Sequence, residues 1–394
     1  MKKILALALA ILMIAGSCMA FASCNKEEAE ATIKIGLSAP LDGVAAAYGQ
    51  AVANSAQMAV DEINANGGLN GIKLELIVTN DSHDKNKVDT NYSTMIGKGM
   101  QVSLGCVTSG PCLEFAKLSK ADNVFFLTPS ASSNDVVKEN NAYQMCFADG
   151  NQGAVAAAYV NSLQEAGTLG KLGVLYKSDD PYSAGIYDQF KAALSANVGL
   201  ADEDVQVFVG DEATADFTSQ VTALSDCDFI FMPIYYTPAA NFMSAAIGKV
   251  KNSAVYYGCD GFDGIDTAVK GFDITTIPQK VTMLSHFNSK ATEGKAYDYI
   301  KAYTAKYPDA PLNQFGASAY DCVYALFNAM KAAIDAGKTV DANTSASDMC
   351  EILKEQFNGD FSYSGATGES ISWESSGFVA KGAIAYEIKA ATAQ

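Results

Sequence analysis

The chain has 394 residues, of which 49% are apolar and 18% are charged, and this composition excludes a disordered or fibrous protein. Asp and Glu number 44 against 27 basic residues, all of them Lys, so that the net charge is −17. Nucleic-acid binding is excluded as well, because the chain has no arginine to read phosphates or guanines and no excess of positive charge. The length predicts two or three domains.

The first residues have the pattern of a secretory signal peptide. Lys2 and Lys3 precede an apolar run over residues 4–15, and small residues follow it. Such a run is shorter than the roughly 20 residues that a membrane-spanning helix needs. We therefore expect residues 1–23 to be an export signal that is removed from the mature protein.

Two cysteines next to the apolar run stand behind small residues, as in the lipobox of bacterial lipoproteins. We favour Cys24 over Cys18 as the lipid-attachment site, because a polar, charged stretch follows Cys24. Residues 24–31 then form a tether, and the protein is anchored extracytoplasmically to the cell membrane through its lipid. The alternative is secretion without a lipid, with cleavage near Ala22.

From Thr32 onward, continuous apolar runs alternate with helical patterns. We predict nine strands over residues 33–38, 74–78, 102–106, 124–127, 172–176, 205–209, 229–232, 255–257 and 281–284. We predict helices over residues 46–66, 87–99, 114–121, 154–166, 184–196, 218–224, 239–250, 293–307 and 315–336, followed by short strands from Phe361. Strands that are apolar at every position are buried on both faces, so this order predicts an α/β fold with doubly wound parallel sheets.

Nine strands are many for one sheet, and a break near residues 149–153 divides them into two lobes. We expect three crossovers between the lobes, near Gly150, near His286 and near Gln356. The first lobe then comprises residues 32–150 and 286–356, and the second comprises residues 151–285 and 357–394. In such sheets a ligand binds beyond the carboxyl ends of the strands, which predicts a cleft between the lobes.

The residues that support catalysis or metal binding are scarce. The two histidines, His83 and His286, are far apart, and no cysteine pair has the C-x-x-C spacing of a zinc or redox site. Cys106 and Cys112 flank a short loop and are candidates for a disulfide, and we expect most other cysteines to be buried as small apolar residues. No nucleophile elbow, zinc-protease or phosphate-loop motif is present, so we predict neither an enzyme nor a cofactor.

Polar residues suited to a small zwitterion follow several predicted strands. Hydroxyl-rich turns at residues 107–111 and 128–134 can cradle an anion, and an acid and several tyrosines stand in other post-strand loops. Hydroxyls and N–H groups suit a carboxylate, one carboxylate suits an ammonium, and the rings suit an apolar side chain. The sequence therefore predicts an amino-acid site, with Tyr48, Ser109, Tyr235, Tyr236, Thr237 and Asp260 as candidate residues beside the turn at residues 128–134.

Short motifs spaced along residues 33–388 resemble those of a known family. They lie at residues 35–41, 67–71, 129–132, 216–218, 319–321 and 365–368. Their order and spacing resemble the branched-chain amino-acid-binding proteins of bacterial ABC transporters, which are type I periplasmic binding proteins. The resemblance implies a lipoprotein like the leucine-binding proteins, with two α/β lobes and the ligand between them.

The resemblance also implies a role for each site residue. Ser109, Ser132 and the backbone of Ala131 would hold the α-carboxylate and α-ammonium, and Asp260 would pair with the ammonium where many relatives have Glu. Tyr48 would cover the ligand side chain. Two further aromatic positions of the second lobe are matched by Tyr182 and by either Tyr235 or Tyr236. Thr108 occupies one position of the cysteine pair found in relatives, so that pair is not reproduced in place.

The resemblance implies that the chain acts as a monomer and hands an amino acid to an ABC permease and ATPase. Two alternatives remain open from the sequence. The first is a ligand-sensing lipoprotein that reports to a signalling receptor, and the second is a binder of amides or aromatic acids. Hydrolysis on the same scaffold is the least favoured interpretation, because no catalytic motif is present.

Overall fold

The computed structural model describes residues 31–391, and its first sheet contains five parallel strands in the order β2-β1-β3-β4-β5. The strands are β1 (Thr32–Ala39), β2 (Lys73–Asn80), β3 (Val102–Cys106), β4 (Phe126–Thr128) and β5 (Ala142–Gln144). β3 and β4 are buried at every position, which accounts for their continuously apolar sequences.

The second sheet repeats the arrangement and adds one antiparallel edge strand, in the order β13-β10-β9-β8-β6-β7. Its strands are β6 (Leu172–Lys177), β7 (Val205–Phe208), β8 (Phe229–Met232), β9 (Val255–Gly258), β10 (Lys280–Ser285) and β13 (Ile384–Lys389). A separate hairpin joins β11 (Tyr363–Gly365) and β12 (Gly368–Ile371). The predicted α/β class with two doubly wound parallel sheets is confirmed.

Ten α-helices cover the sheets in residues 31–391, together with short 3₁₀ turns. They are α1 (Ala46–Ala65), α2 (Val88–Gly97), α3 (Ser109–Ala121), α4 (Asp149–Glu165), α5 (Pro181–Ala193), α6 (Thr218–Ala223), α7 (Tyr236–Ala246), α8 (Gly294–Lys306), α9 (Gln314–Asp335) and α10 (Ala346–Phe357). α9 packs on α1 beside the first sheet, and α4 packs on α5 beside the second.

Several helices begin nearer to their strands than the sequence predicts. α3 starts at Ser109 and not at Glu114, because Pro111 stands in the first turn, where a missing N–H removes no helical hydrogen bond. α5 starts at Pro181, and the Asp180 carboxylate caps it by accepting the N–H of Ser183 at 3.0 Å. These early starts bring the helix N-termini to the edge where the ligand site was predicted.

The chain passes between the sheets three times: from β5 to β6, from β10 to the α8–α10 segment, and finally to β13. The last passage comes later than the predicted crossover near Gln356. Trp373 still lies on the first lobe, where its Nε1 donates to the carbonyl of Gln144 at 2.7 Å. The domain boundaries themselves stay a prediction.

The predicted signal peptide and the lipid-attachment residue Cys24 lie outside the described residues. Among residues 31–391, no helix is both long and apolar enough to cross a membrane. Cys106 and Cys112 are buried free thiols, so the candidate disulfide between them is not formed. All seven cysteines of this part of the chain are buried, which agrees with their predicted role as small core residues.

Candidate ligand-binding site

A cavity lies where the carboxyl ends of the two sheets face each other. Both lobes contribute to its wall, which consists of Tyr48, Val107, Thr108, Ser109, Ser130, Ser132, Tyr182, Tyr235, Asp260 and Phe315. Its volume is about 10 Å³, roughly the space that one water molecule requires. The lobes are therefore closed on each other, and an amino acid can enter only if the lobes or the rings move apart.

The first lobe presents a wall of hydroxyl groups that belongs to the β3–α3 and β4 turns. Ser109 is the first residue of α3, whose N-terminal N–H groups have no partners within the helix. The Ser109 hydroxyl accepts the N–H of Ser133 at 3.2 Å and so ties the two turns together. The Ser130 hydroxyl donates to the carbonyl of Val107 at 2.6 Å, which orients the second turn. Such a wall favours an anion.

The second lobe presents the buried carboxylate of Asp260 to the cavity, directly after β9. Its Oδ1 accepts the Tyr182 hydroxyl at 2.7 Å, and its N–H donates to Gln152 at 3.0 Å. Burial raises the pKa of Asp260 to about 7, and the hydrogen bond that the Tyr182 hydroxyl donates opposes that rise. No group in residues 31–391 donates a hydrogen bond to its Oδ2. This oxygen can therefore accept a bond from a ligand cation.

Aromatic rings form the remainder of the wall. Tyr182 and Tyr235 are stacked with their ring centres 4.6 Å apart, and Tyr48 packs edge-on against Phe315 at 4.7 Å. Burial raises the pKa of Tyr48, Tyr182 and Tyr235 well above the ordinary value, so these phenols stay neutral. The rings give the cavity an apolar side opposite its hydroxyl groups.

A second buried carboxylate, Asp149, lies at the start of α4, one turn from Gln152. Within the described chain neither of its oxygens has a hydrogen-bond partner by geometry. Burial raises the pKa of Asp149 well above the ordinary value. The Ser132 hydroxyl lowers this pKa and the charge of Asp260 raises it, both less strongly than burial does. Asp149 does not line the cavity, and its burial favours the uncharged acid.

The structure brings to the cavity six of the eight residues to which the resemblance gives a role: Tyr48, Ser109, Ser132, Tyr182, Tyr235 and Asp260. Tyr236 is placed behind Tyr48, because its hydroxyl accepts the N–H of Ala47 at 3.2 Å. Ala131 is also displaced from the wall, since its N–H donates to Thr128 and its carbonyl accepts from Gln144.

Four wall residues were not predicted. Thr108, Ser130 and Val107 belong to the hydroxyl-rich turns that the sequence singled out, so the turn composition was the available signal. Phe315 comes from the start of α9, far along the chain, and no local pattern distinguished it from core residues. Its placement depends on the passage of the chain back to the first lobe.

Away from the cavity, the metal-ligating side chains of Asp204, Asp226 and Cys227 come close together. The ammonium of Lys171 lies 2.8 Å from Asp204 and 2.9 Å from Asp226. This cluster is therefore an ion-pair network with its own cation.

The family model of periplasmic binding proteins matches residues 32–391. The chain is 30% identical over 327 residues to the Leu/Ile/Val-binding protein BraC3 of Rhizobium johnstonii, which covers 81% of this chain and 83% of that protein. The substrate-binding protein LivJ of a branched-chain amino acid transporter from Streptococcus pneumoniae, solved with isoleucine, gives a TM-score of 0.74 at 25% identity and covers 91% of this chain and 100% of that one.

A second solved structure has the same fold and a different ligand. It is a solute-binding protein of an ABC transporter from R. palustris in complex with benzoate, with a TM-score of 0.74 at 18% identity. The match covers 91% of this chain and 94% of that one.

Proposed function

The chain belongs to the periplasmic binding protein family, and from that premise we propose that it is the extracytoplasmic solute-binding protein of an ABC importer. Its ligand is an amino acid, branched-chain or similar, which it delivers to a permease and ATPase. The observation that carries this proposal is the buried Asp260, whose Oδ2 accepts no hydrogen bond in residues 31–391 and which lies in one cavity with the hydroxyl wall.

The two ends of the cavity suit the two charges of an amino acid. The α-ammonium pairs with Asp260, and the α-carboxylate accepts bonds from Ser109, Ser132 and the N–H groups that begin α3. Since the chain has no arginine, hydroxyls and backbone groups must hold the carboxylate. The side chain then lies against the rings, where burial of apolar surface contributes about 25 cal/mol per Å².

Closure of the lobes is supported by direct bonds between them. Thr237 of the second lobe donates to the carbonyl of Val44 at 2.9 Å, and the Tyr236 hydroxyl accepts the N–H of Ala47 at 3.2 Å. A ligand that touches both walls favours this closed state by its extra affinity for that state. A permease that recognises the closed form would then receive loaded protein in preference to free protein.

The relatives described above are substrate-binding proteins and not enzymes, in agreement with the prediction from the sequence. Aromatic acids are a second class of ligand to consider, because one protein of the same fold was solved with benzoate. A benzoate has no ammonium group and would leave Asp260 without a counter-ion in a dry cavity. The carboxylate of Asp260 therefore favours an amino acid over an aromatic acid as the ligand.

The decisive experiment is a thermal-shift screen of all amino acids, short amides and benzoate, followed by calorimetry. Asp260→Asn keeps the shape of the side chain and removes its charge, so we expect it to abolish amino-acid binding. Asp266→Asn, at an exposed carboxylate nearby, serves as the control and should bind like the wild type. Unchanged affinity in Asp260→Asn, or tighter binding of benzoate than of any amino acid, would contradict the proposal.

Lipid anchoring at Cys24 is the second part of the proposal, and it is tested separately. In cells fed a labelled fatty acid, we expect Cys24→Ala to lose the label and to leave the membrane fraction. Cys18→Ala is the matched control and should keep both. Loss of label in Cys18→Ala alone would move the anchor to Cys18.

A further inference from the structure

The loop after β2 contains two neighbouring non-glycine residues in the left-handed region of backbone conformation. Ser82 has a φ of 51° and His83 a φ of 62°, a conformation that is unfavourable for residues other than glycine. Side chains of the same loop hold this conformation: Asn80 accepts the N–H of Ser82, and Asp81 accepts the N–H of His83, both at 2.9 Å. The strained turn directs the imidazole into the space between the lobes.

The two ring nitrogens of His83 face opposite lobes. Nδ1 lies 2.9 Å from the hydroxyl of Thr108, which belongs to the cavity wall of the first lobe. Nε2 lies 3.9 Å from Oε1 of Glu212, which follows β7 in the second lobe. The ring also packs edge-on against Tyr235, another wall residue, at 5.4 Å. His83 therefore touches the cavity through two of its wall residues and bridges the cleft beside it.

Glu212 itself needs a cation. It is only 4% exposed, and neither of its carboxylate oxygens has a hydrogen-bond partner in the part of the chain that is described. The ammonium of Lys177, at the end of β6, lies 3.9 Å away and is bound more closely by Asp179 at 2.8 Å. At 3.9 Å, a protonated His83 would supply a second positive charge to this carboxylate as an ion pair.

The charges around His83 favour the imidazolium. Asp81 belongs to its own loop, Asp180 precedes α5, Glu212 follows β7, and Lys177 is the cation on the opposing lobe. Burial alone would lower the pKa of His83, but Glu212, with Asp180 and Asp81, offsets burial and holds the pKa above its ordinary value.

We propose that His83 is a positioning residue of the cavity which, as an imidazolium, joins Thr108 of the first lobe to Glu212 of the second and makes closure tighter in acid. This inference rests on the proposed function, whose site it deepens. With both ring nitrogens protonated, Thr108 accepts from Nδ1, and its own O–H is free to donate to a ligand carboxylate in the cavity. A neutral ring with an unprotonated Nδ1 would instead accept the hydrogen bond from the Thr108 hydroxyl, which could then not donate to the ligand.

The sign of the pH effect follows from this arrangement. Closure brings Glu212 and Asp180 to the ring and so raises the pKa of His83 relative to the open state. The contribution of His83 to the free energy of closure is fully present below the pKa that His83 has in the open state. It is lost as the pH rises through the pKa that His83 has in the closed state. Asp260 acts in the opposite direction, because it must be ionised to bind an ammonium. Comparison with a His83 variant therefore isolates the effect of the imidazole.

The test is calorimetry of the full chain with its best amino acid from about pH 6 to pH 8.5. His83→Asn is the variant of choice, since Asn tolerates the left-handed backbone and stays neutral. We expect its Kd to exceed the wild-type Kd by about tenfold at the acidic end, and the ratio to fall toward one at the basic end. Glu212→Gln should reproduce this change, and the double variant should be no weaker than either single one. Glu114→Gln is the control and should follow the wild type, because Glu114 is charged and lines, together with His83, a groove outside the cavity.

A ligand-free measurement separates this inference from the proposed function. We expect small-angle scattering to give a more compact wild type at acidic than at basic pH, and His83→Asn to lose that difference. If no amino acid binds but this difference persists, the proposed function fails and the role of His83 stands. A Kd ratio that is constant with pH, or scattering in which His83→Asn follows the wild type, would overturn the role of His83.

Discussion

The hydroxyl of Tyr48 donates a 2.5 Å hydrogen bond to the carbonyl oxygen of Gly261, the residue that follows Asp260. The same hydroxyl accepts the backbone N–H of Tyr236 at 3.4 Å. One buried phenol of the first lobe thus meets two backbone groups of the second. Tyr48 therefore both covers the cavity and fixes the turn that carries its carboxylate.

Tyr48→Phe keeps the ring and removes these two contacts between the lobes. Since the contacts exist only in the closed state, we expect ligand affinity to fall by about 1 kcal/mol, or roughly fivefold in Kd. Calorimetry measures the affinity, and scattering with saturating ligand reports whether the lobes still close. Tyr256→Phe is the matched control, because the Tyr256 hydroxyl is buried without a partner in residues 31–391. A fivefold loss in both variants would show that the contacts to the second lobe are not its cause.

Tyr182→Phe changes the pH at which binding begins to fail. Burial raises the pKa of Asp260 to about 7, and the hydrogen bond from Tyr182 acts against burial. Without that bond the pKa rises further, so the carboxylate is protonated at a higher pH. Because an ammonium needs the ionised form, binding of the variant should weaken at a higher pH than binding of the wild type. Calorimetry between about pH 6 and pH 9 measures this change, and parallel pH profiles would contradict it.

The alternation of apolar runs and helical patterns was enough to predict the class and the layering of the two sheets. It placed the starts of α3 and α5 too late, because Gly, Pro and Ser near a helix N-terminus read as loop although they suit its first turn. β5 and α10 were missed altogether. β5 has only three residues, and α10 follows a polar segment that gave no clear start.

The site was predictable where chemistry and strand ends coincide in the sequence. Asp260, Ser109 and Ser132 all lie in turns directly after strands, and parallel sheets bring such turns together. The pairing of His83 with Glu212 depends on how the two lobes meet, and the position of Phe315 depends on the return of the chain to the first lobe. A contact between residues that are distant in the chain leaves no local pattern. Tyr236, which lies behind Tyr48, looks the same in sequence as its neighbour Tyr235 in the cavity wall.

Asp260→Asn should stabilise the ligand-free protein above neutral pH while it abolishes binding. An Asp in an unfolded chain has a pKa near 3.9, so as the pH rises from about 4 to 7 the unfolded state releases a proton that the buried carboxyl keeps. The contribution of Asp260 to the free energy of unfolding of the wild type therefore falls by about 1 kcal/mol for each pH unit of this window. The Asn side chain does not titrate, so the Asp260→Asn variant does not lose stability in this way as the pH rises. Urea denaturation at pH 4 and pH 8 tests it, and a stability difference between variant and wild type that is equal at the two pH values would refute the expectation.

Gly153→Ala tests the packing of α4 on α5, which supports Asp260 in the cavity wall. A Cβ at Gly153 in α4 would lie 2.6 Å from the carbonyl oxygen of Ile186 and 2.7 Å from the backbone nitrogen of Phe190, both in α5. Backbone atoms cannot yield as a flexible side chain does, so the two helices must separate, at a cost of about 1–3 kcal/mol in the free energy of unfolding. Gln152, the neighbouring residue that holds the Asp260 N–H, moves with α4, so ligand affinity should fall as well. Gly97→Ala, in open space at the end of α2, is the control and should be neutral or more stable by up to ~1 kcal/mol. Equal unfolding midpoints in urea for the two variants would show that α4 and α5 are not held together at Gly153.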